Sequence, residues 1–521
     1  RRSAARQPAT RTAPATAAGA QRSTGRARAR HGAVSRDGQP VDAARAAYDA
    51  VIVGSGPNGL AAAALLAREG LATLVLESHA TLGGGSRTQP LTLPGFLHDP
   101  CSTVHPLGAA SPFLRALDLA AHGLTWIHSP APLAHVLDED RVVTLERSVA
   151  ATAEQLGADA RAYRSLVEPF VRRFDELVPM LLGPLRLPSA PLLLGRFGLS
   201  ALRSMRGLAR ARFGDARSAA LLGGIAAHAM LPLDALATAS FGLVLAIAGH
   251  RVGWPIAQGG SQSIVAALER YLLAHGAELR VGCPVKHLDQ LPEARAYLFD
   301  VAPRQLLAIA GDALPSAYRR RLERFRHGPG VFKLDWALAA PIPWRDPRCA
   351  RAATVHLSGD LTEIATMGAV VQSGRVPGQP FVLLVQPTLF DPSRAPAGRH
   401  VAWAYCQVPH GSTHDLTAAI EREIERFAPG FRALILARAA QTARDIESYN
   451  PNYVGGDIAG GATDLRQLFF RPAPRLDPYA TPNPSIFLCS ASTPPGGGVH
   501  GMCGYFAARS ALARAFGRKV E

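Results

Sequence analysis

Val51-Ile52-Val53-Gly54-Ser55-Gly56-Pro57-Asn58-Gly59, followed by Glu77 at the end of the next apolar run, is the stretch from which the fold is read. Residues 48–53 have the composition of a buried strand. The glycines after it suit a nucleotide-binding turn: Gly54 permits the tight bend, Gly56 lets the backbone approach a pyrophosphate, and Gly59 lets the next helix lie close on the strand. The spacing predicts a helix over 60–68 whose first amides face the phosphates, a stop at Gly70, and a second strand over 71–76. Glu77 stands where an acid accepts both ribose hydroxyls, which disfavours a 2′-phosphate and points to FAD or NAD rather than NADP. A glycine triad alone also fits a tight turn without a ligand. Strand, turn, helix, strand and acid in this order favour a bound dinucleotide.

Two further glycine-rich turns follow. Residues 79–88, with Gly83, Gly84 and Gly85 ahead of Arg87, lie just past the ribose acid, where an NAD-binding domain needs no such turn. Arg87 is suited to neutralise pyrophosphate charge or to orient the flavin side; the alternative is a solvated arginine on a surface loop. Later, a predicted buried strand over 486–491 enters the Gly-rich 493–504 loop and a predicted helix over 505–516. A helix N-terminus aimed at the flavin N1/C2 region would stabilise the anion formed on reduction and raise the flavin potential.

Together these segments resemble the phytoene-desaturase-related FAD-dependent oxidoreductases of the amine-oxidase and carotenoid-desaturase superfamily. The resemblance is greatest to the branch of pyridine nucleotide-disulfide oxidoreductase domain-containing protein 2, for which the run Gly496-Gly497-Gly498-Val499-His500-Gly501-Met502-Cys503-Gly504 is characteristic. Gln258-Gly259-Gly260, Asp300-Val301-Ala302-Pro303-Arg304-Gln305, and Phe332-Lys333-Leu334-Asp335-Trp336-Ala337-Leu338 with Pro343-Trp344 also match, so the resemblance spans residues 48–517. It implies an α/β fold with a Rossmann-like FAD-binding domain of the GR2 flavoprotein type, assembled from residues 47–110, 255–330 and 450–521. It also implies an interleaved α+β substrate-binding domain, residues 111–254 and 331–449, with a helical lid. In such a domain FAD is held by Gly54, Gly56, Pro57, Asn58, Gly59, Glu77, Ser78, Gly84, Gly85, Arg87, Val285, Ala302, Ser490, Gly497, Gly498, Val499, His500, Gly501 and Met502, with Val285 near the adenine.

The 521 residues, 48% hydrophobic, suffice for two intertwined domains. Half of the net charge of +16 lies in residues 1–46, which hold ten Arg against two Asp and almost no large apolar residue. Such a composition cannot offset its ordering entropy, so a disordered basic arm is expected. It can be read as a transit peptide, but the Ala/Arg/Gly bias of the whole chain favours an overextended start. Lacking interleaved aromatics, the arm is not read as a nucleic-acid binder. The six cysteines have no paired spacing, which fits a reducing compartment and gives neither a disulfide framework nor a metal site. Cys503 alone sits in a plausible active region; a covalent flavin link is conceivable there, and a small buried side chain is preferred. No apolar run reaches the length of a membrane span, and no secretory h-region is seen. The expected location is the cytoplasm, with peripheral membrane contact and a homodimer left open.

Residues 150–182 have helical spacing, broken at Pro184 and Pro188. Residues 185–213 mix Leu and Phe with Arg196, Arg203, Arg206, Arg210 and Arg212. An ordinary surface helix over a substrate lid is preferred there to a helix lying on an anionic membrane. The apolar 239–249 stretch is expected to line the substrate cavity, and runs at 331–338, 381–386 and 401–407 to form a sheet walling an apolar tunnel. His500 is the leading catalytic candidate, as a general base or as a loop-holding histidine. Lys333 is the second: by resemblance to amine-oxidase relatives it would hold a water near flavin N5, and the alternative is an edge-strand lysine. His105 is a third candidate without a spacing argument. The expected function is FAD-dependent dehydrogenation (desaturation) of a hydrophobic small molecule, polyene or lipid-like, with electrons passing to O₂ or a quinone. Amine oxidation, redox-neutral isomerisation with reduced flavin, and a non-catalytic FAD-bearing scaffold are the alternatives. The absence of an evident aromatic pair beside the last glycine loop weakens the amine reading.

Overall fold

The structure, a computed structural model, describes residues 47–519; the expected basic arm of residues 1–46 lies outside the described residues. The strand Tyr48–Val53 (β1), the helix Pro57–Arg68 (α1) and the strand Thr73–Leu76 (β2) follow one another as a βαβ unit. The helix starts at Pro57 rather than at residue 60. Proline has its φ pre-set for the first helical position and needs no partner for a missing N–H there. Five parallel strands form the dinucleotide-domain sheet, in the order Ile486–Leu488, Ala294–Phe299, β1, β2, Glu278–Arg280. Val53 is in register with both Leu76 and Phe299, and Phe299 with Leu488. The loops beginning at Gly54, Glu77, Asp300 and Cys489 therefore leave one edge of the sheet side by side. In open α/β sheets that carboxyl edge is where ligands bind.

The helix Met502–Ala515 packs on α1, and the close approach depends on glycine: a Cβ on Gly504 would lie 1.8 Å from the Asn58 carbonyl oxygen. This helix begins three residues before the expected start because Gly501 takes the left-handed conformation (φ +68°) that ends the loop.

The second sheet has seven strands, in the order Ile435–Gln441, Gly330–Leu338, His400–Val408, Val382–Val385, Ala352–Leu357, Ala131–Val136, Val142–Leu145. All pairs are antiparallel except Ala352–Leu357 with Ala131–Val136. The expected runs near 331, 381 and 401 are central strands of this sheet. Four further strands escaped the sequence reading. Ala131–Val136 contains Pro and Ala, and Ile435–Gln441 is mostly Ala after its first two residues, with Arg438 and Gln441, so neither has strong strand composition. The helical stretch expected over 150–182 is three helices, Val149–Glu154, Ala160–Arg172 and Phe174–Leu181. Gly157, at φ +56°, and the non-helical Arg173 divide them well before Pro184.

Candidate active site

The three glycines of the first turn are held against one acid. Gly54 has φ +100°, and a Cβ there would sit 2.8 Å from the Asp300 carbonyl oxygen. A Cβ on Gly56 would lie 2.5 Å from Asp300 Oδ2, and one on Gly59 would lie 2.1 Å from the Gly54 carbonyl oxygen. The Gly59 amide donates to Asp300 Oδ2 at 2.8 Å. Burial pushes the Asp300 carboxyl up to about 7; the Gly59 N–H pulls it down and the Glu77 charge adds to the rise. The folded chain thus binds this proton more tightly than the unfolded one. The associated stability is fully present below about pH 4 and is lost as the pH rises through about 7. Asp300→Asn keeps an acceptor for Gly59 and cannot ionise. Its urea midpoint is expected to lose this pH dependence, whereas the parent should weaken by about 3–4 kcal/mol between pH 4 and pH 8.

Glu77, at the end of β2, accepts from the Ser55 amide at 3.0 Å and from the Ser55 hydroxyl on Oε2, and from the His79 amide at 2.9 Å on Oε1. Arg87 Nη2 lies 3.2 Å from Glu77 Oε1 and donates to the Thr81 carbonyl, while Nη1 donates to that of Gly84. Arg87 is therefore a buried tie between the second glycine turn and the ribose acid, not a solvated side chain. Burial raises the Glu77 carboxyl, but Ser55, His79 and Arg87 outweigh it and hold the group below its ordinary range. It remains an anionic acceptor.

In the third turn, Gly496 and Gly498 have φ +111° and +136°, and a Cβ on Gly497 would approach the Ala459 carbonyl oxygen to 2.7 Å. His500 is buried; its Nδ1 accepts from the Met502 amide at 3.0 Å, and its carbonyl accepts from the Ser111 hydroxyl at 2.7 Å. Burial takes the imidazole down to about 4, so it is neutral. These bonds make His500 the clasp between loop and helix. Cys503 points into the loop carbonyls of Thr493 and Gly496, and burial pushes its thiol up to about 12.

One cavity of about 1360 Å³ runs along all three turns and into the second sheet. Every residue expected to hold the cofactor lines it except Gly59, Gly501 and Met502, which pack behind its wall. An extended dinucleotide fits what is present: Asn58 Oδ1 and Ser86 Oγ are buried without a protein partner, and the glycine turns leave the backbone bare. Beyond this cradle the walls become apolar, with Phe197, Trp254, Leu383, Val385, Trp403 and Tyr405.

Lys333 also lines the cavity. It lies on an interior strand, between His400–Val408 and Ile435–Gln441, so the edge-strand alternative does not hold. Its ammonium pairs with the buried Asp335 carboxylate and lies 5.0 Å from the Trp403 ring centroid. His105 is buried, bonds Ser261 Oγ at 2.9 Å and is lowered to about 4 by burial. The sequence reading missed Asp300 as the acid facing the glycines, the Trp403–Tyr405 pair, and His228 on the cavity wall. Asp300 stands in a stretch that matches the resembled family but with no role attached, and only the glycine triad's need for a close neighbour could have supplied one; no local pattern marks the others.

Comparison with known proteins agrees with this geometry. The pattern of the NAD(P)-binding Rossmann-like domain matches residues 52–118. Pyridine nucleotide-disulfide oxidoreductase domain-containing protein 2 of Rattus norvegicus is 28% identical over 542 aligned positions, covering 88% of this chain and 92% of the rat protein. The chain is a homologue of that protein. A shorter similarity, 29% over 140 residues, covers 26% of this chain and 28% of the 4,4'-diapolycopen-4-al dehydrogenase of Metabacillus indicus. The fold is shared with putrescine oxidase in its putrescine-bound structure, with a TM-score of 0.58 and 17% identity over 91% of this chain and 99% of the oxidase.

Proposed function

We propose that this chain is an FAD-dependent dehydrogenase of an extended, hydrophobic substrate, passing the electrons to O₂ or a quinone. The observation that carries the reading is the single cavity, with a dinucleotide cradle at one end and apolar walls at the other. Glu77 would take the ribose hydroxyls, and the first amides of α1 the pyrophosphate. The Gly497–Val499 backbone would face the isoalloxazine. Bound flavin supplies a hydride acceptor at N5. The apolar walls exclude water, and Lys333, fixed by its ion pair with Asp335, places a polar group at the cavity surface. The chain is expected to purify yellow and to bleach anaerobically with a polyene or long-chain lipid. A folded, colourless chain that takes up no added FAD would end the reading.

Amine oxidation remains the second reading, because Trp403 and Tyr405 offer two near-parallel rings, 6.0 Å apart at 12°, on the cavity wall. The Lys333 ammonium over Trp403 opposes a cationic substrate there. Peroxide release with amines, and none with polyenes, would reverse the preference.

The lid bears on how an apolar substrate arrives. Leu187 and Leu192 are 95% and 89% exposed, and Leu185, Leu199 and Leu202, also exposed, line the cavity mouth. Isolated exposed leucines are ordinary; five within eighteen residues are not. Residues 183–213 hold six Arg and no acid, which suits an anionic lipid surface and disfavours two copies packing face to face. No helix among the described residues is long and apolar enough to cross a membrane, so the contact would be peripheral. Leu187→Ser with Leu192→Ser is expected to cut high-salt binding to phosphatidylglycerol vesicles by at least about tenfold, with flavin content unchanged. Equal binding by parent and variant would count against the contact.

A further inference from the structure

Three histidines from separate elements stack behind the cavity wall. His228 lies in the turn Ala227–Ala229 and lines the cavity. His356 and His135 are register partners on the parallel strands Ala352–Leu357 and Ala131–Val136, and both are fully buried. His228 Nε2 and His356 Nε2 are 3.2 Å apart. His135 Nε2 bonds the Gly359 carbonyl at 2.9 Å. The Nδ1 atoms of His135 and His356 are buried without a partner, and they converge on one point: a Cβ on Gly224 would lie 2.5 Å from the first and 2.9 Å from the second. Burial lowers His228 and His135 to about 4 and His356 further, so all three are neutral, with one N–H each. No group of three or more His, Cys, Asp or Glu among the described residues is disposed to hold a metal ion.

The hydrogen-bond arithmetic gives the stack a direction. A carbonyl only accepts, so His135 must carry its proton on Nε2, which leaves its Nδ1 bare. If His356 also presented a bare Nδ1, two lone pairs would face the same dry point. The favourable arrangement puts the His356 proton on Nδ1, towards His135. His356 Nε2 is then bare and must accept from His228 Nε2–H. His228 Nδ1, which bonds no protein group and is not among the enclosed polar atoms, is left as a free acceptor.

We propose that His228 is a proton-accepting residue of the substrate cavity, with a bare Nδ1 facing the bound molecule and its tautomer set by His356 and His135 as positioning residues. The proposal rests on the dehydrogenase reading above. There, flavin, when bound, would supply the hydride acceptor for one substrate C–H. The neighbouring C–H gives its proton to His228 Nδ1, and the electron pair of that bond becomes the second bond of the new C=C. The imidazolium formed shares its proton with His356 through the Nε2–Nε2 contact.

The test is the tautomer, which needs no known substrate. Full-length protein as purified, labelled with [15N]histidine, is expected to show one imidazole with bare Nδ1 and protonated Nε2 that disappears in His228→Gln. In His356→Phe that signal should become a mixture of tautomers, a change that mere packing would not produce. If a variant fails to fold, diethyl pyrocarbonate on the parent chain decides, because it acylates only bare, reachable nitrogens. His228 should be modified while His135 and His356 stay intact. A His228 protonated on Nδ1, or unreactive to the reagent, overturns the proposal. Flavin absorbance is read on each sample separately, so loss of colour counts against the dehydrogenase reading and not against this one.

Discussion

Gly59→Val is expected to give a chain that retains no dinucleotide. The first added carbon alone would sit 2.1 Å from the Gly54 carbonyl oxygen and 3.1 Å from both Asp300 Cβ and Oδ2. Overpacking at deformable core sites costs about 1–3 kcal/mol. Here the obstacle is backbone on the same turn that would grip the pyrophosphate, so the cost should reach about 3 kcal/mol or more, and relief can only come by opening that turn. Flavin-band absorbance per mole of protein and the melting temperature report the two effects. Gly195→Ala is the control: it lies within the helix Pro191–Ala201 and meets nothing within 4 Å. It should keep its flavin and gain about 0.5–1 kcal/mol. A Gly59→Val protein as yellow as the parent would refute the assignment of this turn.

Arg394→Met is expected to destabilise the fold by about 3–5 kcal/mol. Arg394 and Asp99 are both fully buried, with Nη2 3.0 Å from Oδ2. Asp99 also accepts from the Thr88 hydroxyl at 2.6 Å and the Ser261 amide at 3.1 Å, and Arg394 also donates to the Leu97 carbonyl at 3.0 Å. Burial raises the Asp99 carboxyl, while Arg394, Thr88 and the Ser261 amide outweigh it and hold the group low. The stability this contributes is present above the unfolded aspartate range and disappears as the pH falls through the folded value. Without Arg394 the carboxylate is stranded, so the variant's deficit in urea should be largest at neutral pH and shrink in acid. Adding Asp99→Asn should recover part of it. A single variant with an unchanged midpoint would mean that the pair does not tie these segments together.

The backbone course of the three glycine turns was readable because glycine spacing encodes backbone geometry directly. Gly54, Gly84 and Gly498 take conformations that other residues avoid, and their neighbours in sequence show why. The contact of Asp300 with the glycine turn was not readable. An acid after an apolar run is unremarkable until β1 lies beside Ala294–Phe299, and the bond it makes to Gly59 spans 241 positions. His135, His228 and His356 have the same difficulty, since each is a lone histidine in its own element. The strands at 131–136 and 435–441 were hidden by composition. Their pairing comes from the sheet that receives them, not from local preference. His500 was found by its motif, but its part as a clasp needed the Met502 amide in view.

The packing of Met502–Ala515 on α1 sets an order of events during synthesis. The small-residue face of α1, with Ala61 against Gly501 and Asn58 against Gly504, has no cover until Met502–Ala515 has left the ribosome. The five-stranded sheet must therefore wait, unfinished, while the seven-stranded sheet is made. Capture of a dinucleotide by the first glycine turn would then come late in maturation, and a chain lacking Met502–Ala515 would lose the support of a βαβ unit made long before it.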